Sequence, residues 1–377
     1  MRITYFSCFI NHHQVWVADE LYRLTDGNYR FVCAEDLPEA FRKNGYANYF
    51  NREYVVKAYT EEGFREAIRL AKESDVAIFG GNEDVQPFRE ARMREGNKLS
   101  FECGERWLKR GWMNLFSPRL IKAQIRYHIR YKKNPNYYNL AISAYGASDY
   151  ECLHSFVGKN YKWAYFTEVD DVDVSAKVFA GNRIMWCNRF ISWKHPELAI
   201  QMAEHLKRAG YMFHLDMYGG GVMLEEMKQM VKRMQVEDVV TICGTAPNEV
   251  VREAMKNHDI LLTTSDRNEG WGATVNEGMS NGCVVIGADE VGSVPRLIVD
   301  GYNGLVFKAN DLDSLCAKIV EVLDNPSKCR EIAINAYTTM KEVWSPKNGT
   351  RQLLHLCECL LSGKDVDIKD GPCSLDV

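Results

Sequence analysis

The sequence has little that would staple, anchor or repeat it. Its 12 cysteines among 377 residues are scattered, no Cys-x-x-Cys pair occurs, and Cys357 and Cys359 are the closest two. That spacing argues against a zinc site, and scattered thiols fit a reducing cytosol better than a secreted disulfide framework. No apolar stretch is long enough to span a bilayer. The opening MRITYFSCFINHHQ breaks its short apolar run at Asn11, His12 and His13, so it reads as a first strand and not as a signal peptide. Net charge is only -4, which excludes a nucleic-acid polycation. No solenoid repeat or low-complexity segment is present. What remains is a soluble globular balance, 46% hydrophobic and 26% charged, at a length that suggests two domains.

The pattern along the chain is strand–helix alternation. Residues 2–10 read as a strand before a helical pattern at about 14–24, and DVAIFGG (75–81) as a strand after a helix at about 61–73. KLSFE (98–102) and LAISAY (140–145) are further strands, the latter followed by a helix at 149–157. WAYFTEVDDVDVSAK (163–177) is acidic and unpatterned and reads as a hinge, its DVDV (171–174) as solvated linker and not as a metal motif. Beyond it come RIMWCN (183–188), FHLDMYGGG (213–221), VVTIC (239–243), DILLTTS (259–265) and CVVIGA (283–288), with helices between. PELAIQMAEHLKRAG (196–210) has Pro in its first turn and Gly at its end. Such alternation builds doubly wound parallel sheets, so the expected fold class is α/β with two Rossmann-like domains joined near 168–180. Ligands in such folds bind beyond the carboxyl ends of strands, where Gly80–Gly81, Gly219–Gly221 and Gly244 fall.

One stretch concentrates chemistry at such an end, SDRNEGWGATVNEGMSNG (265–282). Glu269 lies in the loop after DILLTTS, and Glu277 lies on the helix closed by Gly282. Gly270 and Gly272 allow close backbone approach, and the amides of about 271–274 (Trp271, Gly272, Ala273, Thr274) are the open donors of a helix start, an anion site. Carboxylates beside an anion site make sense when one ligand has both phosphates and hydroxyls, as a nucleotide sugar does. Arg189 and Lys194, in CNRFISWKHPEL after the strand 183–188, supply the side-chain cations for a diphosphate.

These pieces carry a resemblance. NRFISWK, YGGG and the run from CGTAPNEVV through SDRNEGWGATVNEGMSNG to VDGYNGLVF place residues 183–345 close to the nucleotide-sugar domain of retaining GT-B glycosyltransferases of glycosyltransferase family 4. The stretch Glu269 to Glu277 fits that family's E-x7-E motif; residues 1–165 match only in layout. The resemblance implies two Rossmann-like domains facing a central cleft: 1–170 for the acceptor, 178–346 for the donor, a helix at about 347–363 packing back on the first, and a loose tail at 364–377. It implies that Arg189 and Lys194 hold the diphosphate and its leaving charge, that Glu269 faces the transferred sugar, and that Glu277 holds the ribose. The amides after Gly270 would cap the phosphate, Gly244–Thr245 would meet the base, and Gly219 and Gly220 would let backbone pass close to the nucleotide. Anomeric configuration would be retained, with no cofactor and no metal. The family's usual glutamate in the segment written here GSVPRL is replaced by Arg296. The expected activity is transfer from a UDP- or GDP-sugar to a glycan or lipid-linked acceptor in cell-surface polysaccharide synthesis. The alternatives are a non-catalytic nucleotide- or sugar-binding protein, or a phosphorylase or epimerase on the same fold.

In the first half, Glu102 takes the place where many relatives have a histidine, as a base or an acceptor-hydroxyl ligand, or else as a structural partner of Arg106. His13 and Asn82 are further acceptor-side candidates. Residues 106–138 contain many Lys and Arg, several Trp and Tyr and no acid, a composition that suits an anionic membrane surface or single-stranded nucleic acid, of which the donor motif favours the membrane, or else a solvated cationic helix with core aromatics. No nucleic-acid partner is expected. The expected place of the chain is the cytoplasm, peripheral on the inner face of the cell membrane.

Overall fold

A computed structural model describes residues 1–39 and 47–376. It divides into two compact units, Met1–Thr167 with Trp344–Val377, and Glu168–Val343. The first holds seven strands: β1 Ile3–Ser7, β2 Tyr29–Cys33, β3 Val55–Lys57, β4 Val76–Phe79, β5 Ser100–Glu105, β6 Tyr137–Ile142 and β7 Asn160–Trp163. Their order is β3-β2-β1-β4-β5-β6-β7, every pair parallel. All four residues of β4 are buried, the mark of a parallel strand covered on both faces. The short strands β3 and β7 carry little apolar pattern of their own, and they and β2 are not read as strands from the sequence.

A buried guanidinium ties this unit together. Arg92, fully buried on the helix Gln86–Arg94, donates to the carbonyls of Ala71, Ser74, Asp75 and Leu99 and to the Ser100 hydroxyl. It thereby satisfies the carboxyl end of the helix Glu61–Glu73 and the entries to β4 and β5.

The last helix, Pro346–Ser362, begins at the Ser345 cap and ends at Gly363 with φ +67°. It packs on the helix Val15–Leu24 of the first unit. The segment after it is not a loose tail. The Cys373 amide donates to the Lys162 carbonyl (2.7 Å), the Lys162 amide to Ser374 (2.8 Å) and the Asp376 amide to Asn160 (2.8 Å), so the segment lies antiparallel along β7. Cys373 and Ser374 are buried. An exposed edge strand is thus covered by the chain itself.

The second unit holds β8 Arg183–Cys187, β9 His214–Tyr218, β10 Val240–Gly244, β11 Ile260–Thr263, β12 Val284–Ala288 and β13 Leu305–Phe307. Their order is β10-β9-β8-β11-β12-β13, again all parallel. The direction of winding reverses between β8 and β11, so the loops leaving those two strands open side by side at the switch point.

The acidic stretch expected to be a solvated hinge is partnered inside this unit. Arg252 donates to Glu168 (2.6 Å) and Asp170 (2.7 Å), and the Tyr337 hydroxyl donates to the Asp170 carbonyl (2.9 Å). Asp171 pairs with Lys341, and the Asp173 side chain caps the turn Val174–Ala176. The partners lie far away in sequence, which is why composition alone reads the stretch as linker. Among the described residues no helix is long and apolar enough to cross a membrane.

Truncation after Asp370 tests the packed terminus. Losing three backbone hydrogen bonds should lower stability on the order of 3 kcal/mol, read as an earlier urea midpoint than that of the full chain. A free tail would leave the midpoint unmoved.

Candidate functional site

The switch point of the second unit is organised by a buried hydrogen-bond relay. The Trp186 indole, at the end of β8, donates to the Thr264 hydroxyl (2.8 Å), and that hydroxyl donates to the Lys194 carbonyl (2.6 Å). All three residues are buried. The Asp266 amide also donates to the Trp193 carbonyl (3.0 Å). The loop after β8 is therefore fastened to the loop after β11, and the Lys194 ammonium meets the Glu269 carboxylate as an ion pair.

Beside it, the glycines have a steric cause. At Gly219 (φ +133°) a Cβ would run into the Asn188 carbonyl, and at Gly220 it would come within 2.6 Å of the Thr245 hydroxyl. The loops after β8, β9 and β10 cross in contact, joined by Phe190 N–H to Gly220 O (2.9 Å) and Gly219 N–H to Gly244 O (2.8 Å). Gly244 has φ +76° with open space around it, and Thr245 is exposed.

Glu269 lies in the loop and Glu277 on the helix Ala273–Ser280. Gly272 precedes that helix at φ +89°, where a Cβ would press on Val291 at 2.9 Å. No side chain caps this helix start. Gly270 is buried, whereas Ala273 and Thr274 are partly open. Trp271 contributes only backbone, because its indole is buried and donates to Asn276 (2.8 Å). The Ser293 amide and hydroxyl bind the Trp271 and Gly272 carbonyls, which pins the loop from the β12 side.

Glu277 is the most perturbed carboxyl here. Burial pushes its carboxyl up to about 7, offset in part by the Arg252 charge. Among the described residues its carboxylate makes no ion pair and accepts no hydrogen bond. Arg252, on the helix Asn248–Asn257, instead spends its guanidinium on Glu168 and Asp170. Arg189 is exposed, its guanidinium over the Trp193 ring at 5.8 Å from the centroid. His195 sits in the left-handed region (φ +46°) between Glu197 (2.7 Å) and Asp266 (3.4 Å), and its pKa is raised chiefly by Glu197. Arg296 is partly buried on the short helix Val294–Leu297.

The sequence does not point to Arg252, Thr264 or His195. No local motif marks Arg252 or Thr264, whose partners lie about 80 residues away in the chain. For His195 the available sign is Glu197, two residues on in the first turn of the helix Pro196–Arg208.

In the first unit the expectations fare less evenly. Strand β5 runs to Glu105, so Glu102 is inside it and not at its carboxyl end. Both Glu102 oxygens are engaged, one by Arg89 (2.9 Å) and the other by the Tyr137 hydroxyl. Arg106 is not its partner, since it pairs with Asp149 (3.2 Å). Glu102 is thus a structural carboxylate, committed where a base would have to be free. His13 follows β1, stacked on Tyr165 at 5.3 Å, and burial pushes its pKa down to about 3, which keeps it neutral. Asn82 follows β4 and its side chain accepts from the Asp84 amide (3.0 Å).

Two outcomes test this geometry. Thr264→Val should leave the Trp186 N–H and the Lys194 carbonyl unpaired in the core, at a cost of about 1–3 kcal/mol in denaturant unfolding; a neutral Thr264→Val would mean the relay is incidental. Glu277→Gln removes a titration. The unfolded carboxyl ionises near about 4.3 and the folded one at about 7. Between those values the unfolded chain has lost a proton that the folded chain keeps, so wild-type stability falls as pH rises through this window and is level above it. The variant should match wild type near the lower limit and outlast it increasingly up to neutrality, on the order of 3 kcal/mol before relaxation. A Tm difference that does not change with pH would contradict the burial.

Comparison with known proteins adds a family. Residues 174–339 match the family model of glycosyl transferases group 1. The chain is similar to a putative colanic acid biosynthesis glycosyltransferase of Salmonella typhimurium, 26% identical over 138 residues, 35% of this chain and 34% of that protein. It is also similar to an amylovoran biosynthesis glycosyltransferase of Erwinia amylovora, 24% identical over 183 residues, 47% of this chain and 45% of that protein. The matches span less than half the length of these relatives. Among solved structures, Anabaena HepE in complex with UDP aligns at TM-score 0.72 and 15% identity, covering 96% of this chain and 100% of that one. A variant of Staphylococcus aureus TarM, solved with UDP, aligns at TM-score 0.66 and 11% identity over 95% and 100%. Residues 174–339 are therefore similar to glycosyl transferases group 1, in a chain with the GT-B fold.

Proposed function

We propose that this protein is a retaining glycosyltransferase of family 4 that moves a sugar from a UDP- or GDP-sugar to a glycan or lipid-linked acceptor in the synthesis of a cell-surface polysaccharide. The observation that carries the reading is the grouping at the β8/β11 switch point: two cations, an uncapped helix start, and one loop and one helix carboxylate. Support comes from relatives named for polysaccharide biosynthesis and from HepE, solved with UDP, with UDP and glucose, and with UDP-glucose.

The chemistry requires a departing diphosphate to be stabilised. Arg189, Lys194 and the amides from Trp271 to Thr274 take up that charge. The Lys194–Glu269 pair is a natural exchange point: a phosphate drawn to the ammonium competes with Glu269, whose carboxylate then accepts from sugar hydroxyls. Glu277, half-buried and without a hydrogen-bond donor among the described residues, takes the ribose hydroxyls. Gly244 and Thr245 meet the base, while Gly219 and Gly220 keep the neighbouring loops close enough to frame it. His13 and Asn82, after β1 and β4, are the acceptor-side candidates in the first unit. No divalent ion is needed in this scheme. The two aspartates of DVDV are engaged elsewhere, Asp171 with Lys341 and Asp173 with its turn.

Lys194→Ala should lower turnover by roughly two to three orders of magnitude, as loss of a single preorganised charge does at other oxyanion sites, while a chelator leaves the wild-type rate unchanged. The readout is nucleoside diphosphate release from a panel of UDP- and GDP-sugars. Hydrolysis of none of them, together with unchanged nucleotide binding in Glu277→Ala, would falsify the proposal. Ribose hydroxyls favour the ionised carboxylate, so wild-type nucleotide affinity should rise between pH 6 and pH 8 more than that of Glu277→Gln, because the folded carboxyl titrates at about 7. Parallel pH profiles for the two proteins in calorimetric titrations would remove Glu277 from the ribose.

A further inference from the structure

The acid-free stretch 106–138 separates in space into two faces. Three of its four tyrosines turn inward: Tyr127, Tyr131 and Tyr137 form a buried cluster with Tyr150 and Phe156. Six of its other large apolar residues turn outward. On the turn Gly111–Phe116, Trp112 is 76% exposed, Met113 72% and Phe116 83%. On the helix Pro118–Ile129, Ile121, Ile125 and Ile129 recur every four residues on one face and are 46%, 52% and 59% exposed. Leu120 and Tyr127 hold the opposite face of that helix in the core.

The cations divide in the same way. Arg106, Lys109, Arg126 and Arg130 are paired with Asp149, Glu105, Glu83 and Glu90. Arg110, Arg119, Lys122, Lys132 and Lys133 are exposed and form no ion pair among the described residues. Uncompensated positive charge therefore surrounds an exposed apolar ridge.

We propose that residues 110–133 of the first unit are a docking surface for an anionic lipid bilayer. Trp112, Met113, Phe116 and the isoleucine stripe enter the boundary between headgroups and acyl chains, and the five cations lie against the headgroups. The partner must be apolar and anionic at once, and a bilayer with acidic headgroups is both. A second copy of this surface would place like charges opposite each other in a two-fold contact. Single-stranded nucleic acid would find two aromatic rings but would leave the three isoleucines and Met113 without a stacking partner.

The test is sedimentation of the full chain with vesicles of phosphatidylcholine alone and of phosphatidylcholine with phosphatidylglycerol. The protein should follow the anionic vesicles, and less so as salt rises. Trp112→Ser with Phe116→Ser should weaken partition to them, and Arg119→Glu with Lys122→Glu should reduce it by roughly tenfold or more. All four positions are exposed, so the melting temperature should stay at the wild-type value and soluble nucleotide-sugar turnover should be unaffected. Failure to sediment with phosphatidylglycerol vesicles would overturn the proposal, as would partition unchanged in both double variants. So would a dimer in ultracentrifugation that Trp112→Ser with Phe116→Ser dissolves, or a single-stranded oligonucleotide that displaces the protein from the vesicles.

Discussion

The second unit depends on one buried hydroxyl. Thr264 accepts from the Trp186 indole and donates to the Lys194 carbonyl, joining the exits of β8 and β11. Neither the indole N–H nor the carbonyl can reach water, so each needs a protein partner. A hydroxyl is a small group that can serve both in sequence. The relay fixes the Lys194 backbone, and so decides where its ammonium meets Glu269. The glycine crossings extend the same constraint outward. With Gly219 packed under the Asn188 carbonyl, the β9 exit cannot move without carrying the Arg189 loop with it. Preorganised charge requires this kind of support, because a cation that must first be positioned loses much of its advantage.

Charge in this unit alternates in sign at short range. Lys194 answers Glu269, and Arg252 answers Glu168 and Asp170 while acting on Glu277 from a greater distance. The stretch at 168–170 therefore belongs to the electrostatics of the candidate site. By binding the guanidinium closely, Glu168 and Asp170 draw Arg252 away from full engagement with Glu277. Strengthening that grip would raise the Glu277 pKa further, and weakening it would lower it.

How much of this was legible follows the reach of the forces involved. Short apolar runs announce central parallel strands, because burial on both faces leaves a local signature; β4, β8, β11 and β12 are of this kind. The motif around Glu269 and Glu277 places one carboxylate in a loop and one on a helix, since a glycine turn and a following helix are also local. Edge strands are set by pairing. The three residues of β3 and the segment beside β7 become structure only when a neighbour supplies their hydrogen bonds. Glu102 reads from sequence as a strand end because glycine in a strand reads as an ending, whereas β5 continues past it through Gly104 to Glu105. The composition of 106–138 sums two faces that folding separates, one sealed in a tyrosine cluster and one left to solvent.

The pairing of Glu277 bears most directly on what the site is for. A buried structural carboxylate is normally satisfied by the protein, as Glu102 is by Arg89 and Tyr137, or Asp149 by Arg106 and the Leu108 amide. Glu277 has a cation nearby, yet the two closest bonds of that cation go to other acids. The fold thus holds this carboxyl partly out of water without giving it donors, and its pKa rises in consequence. Such an arrangement costs stability, and a Gln at this position would avoid the cost of a buried charge. A carboxylate kept there on a helix whose first turn is uncapped is suited to a ligand that brings its own hydroxyl donors and an anionic group one turn away. A ribose diphosphate has both, and the spacing from Glu277 back to the helix start is about one turn.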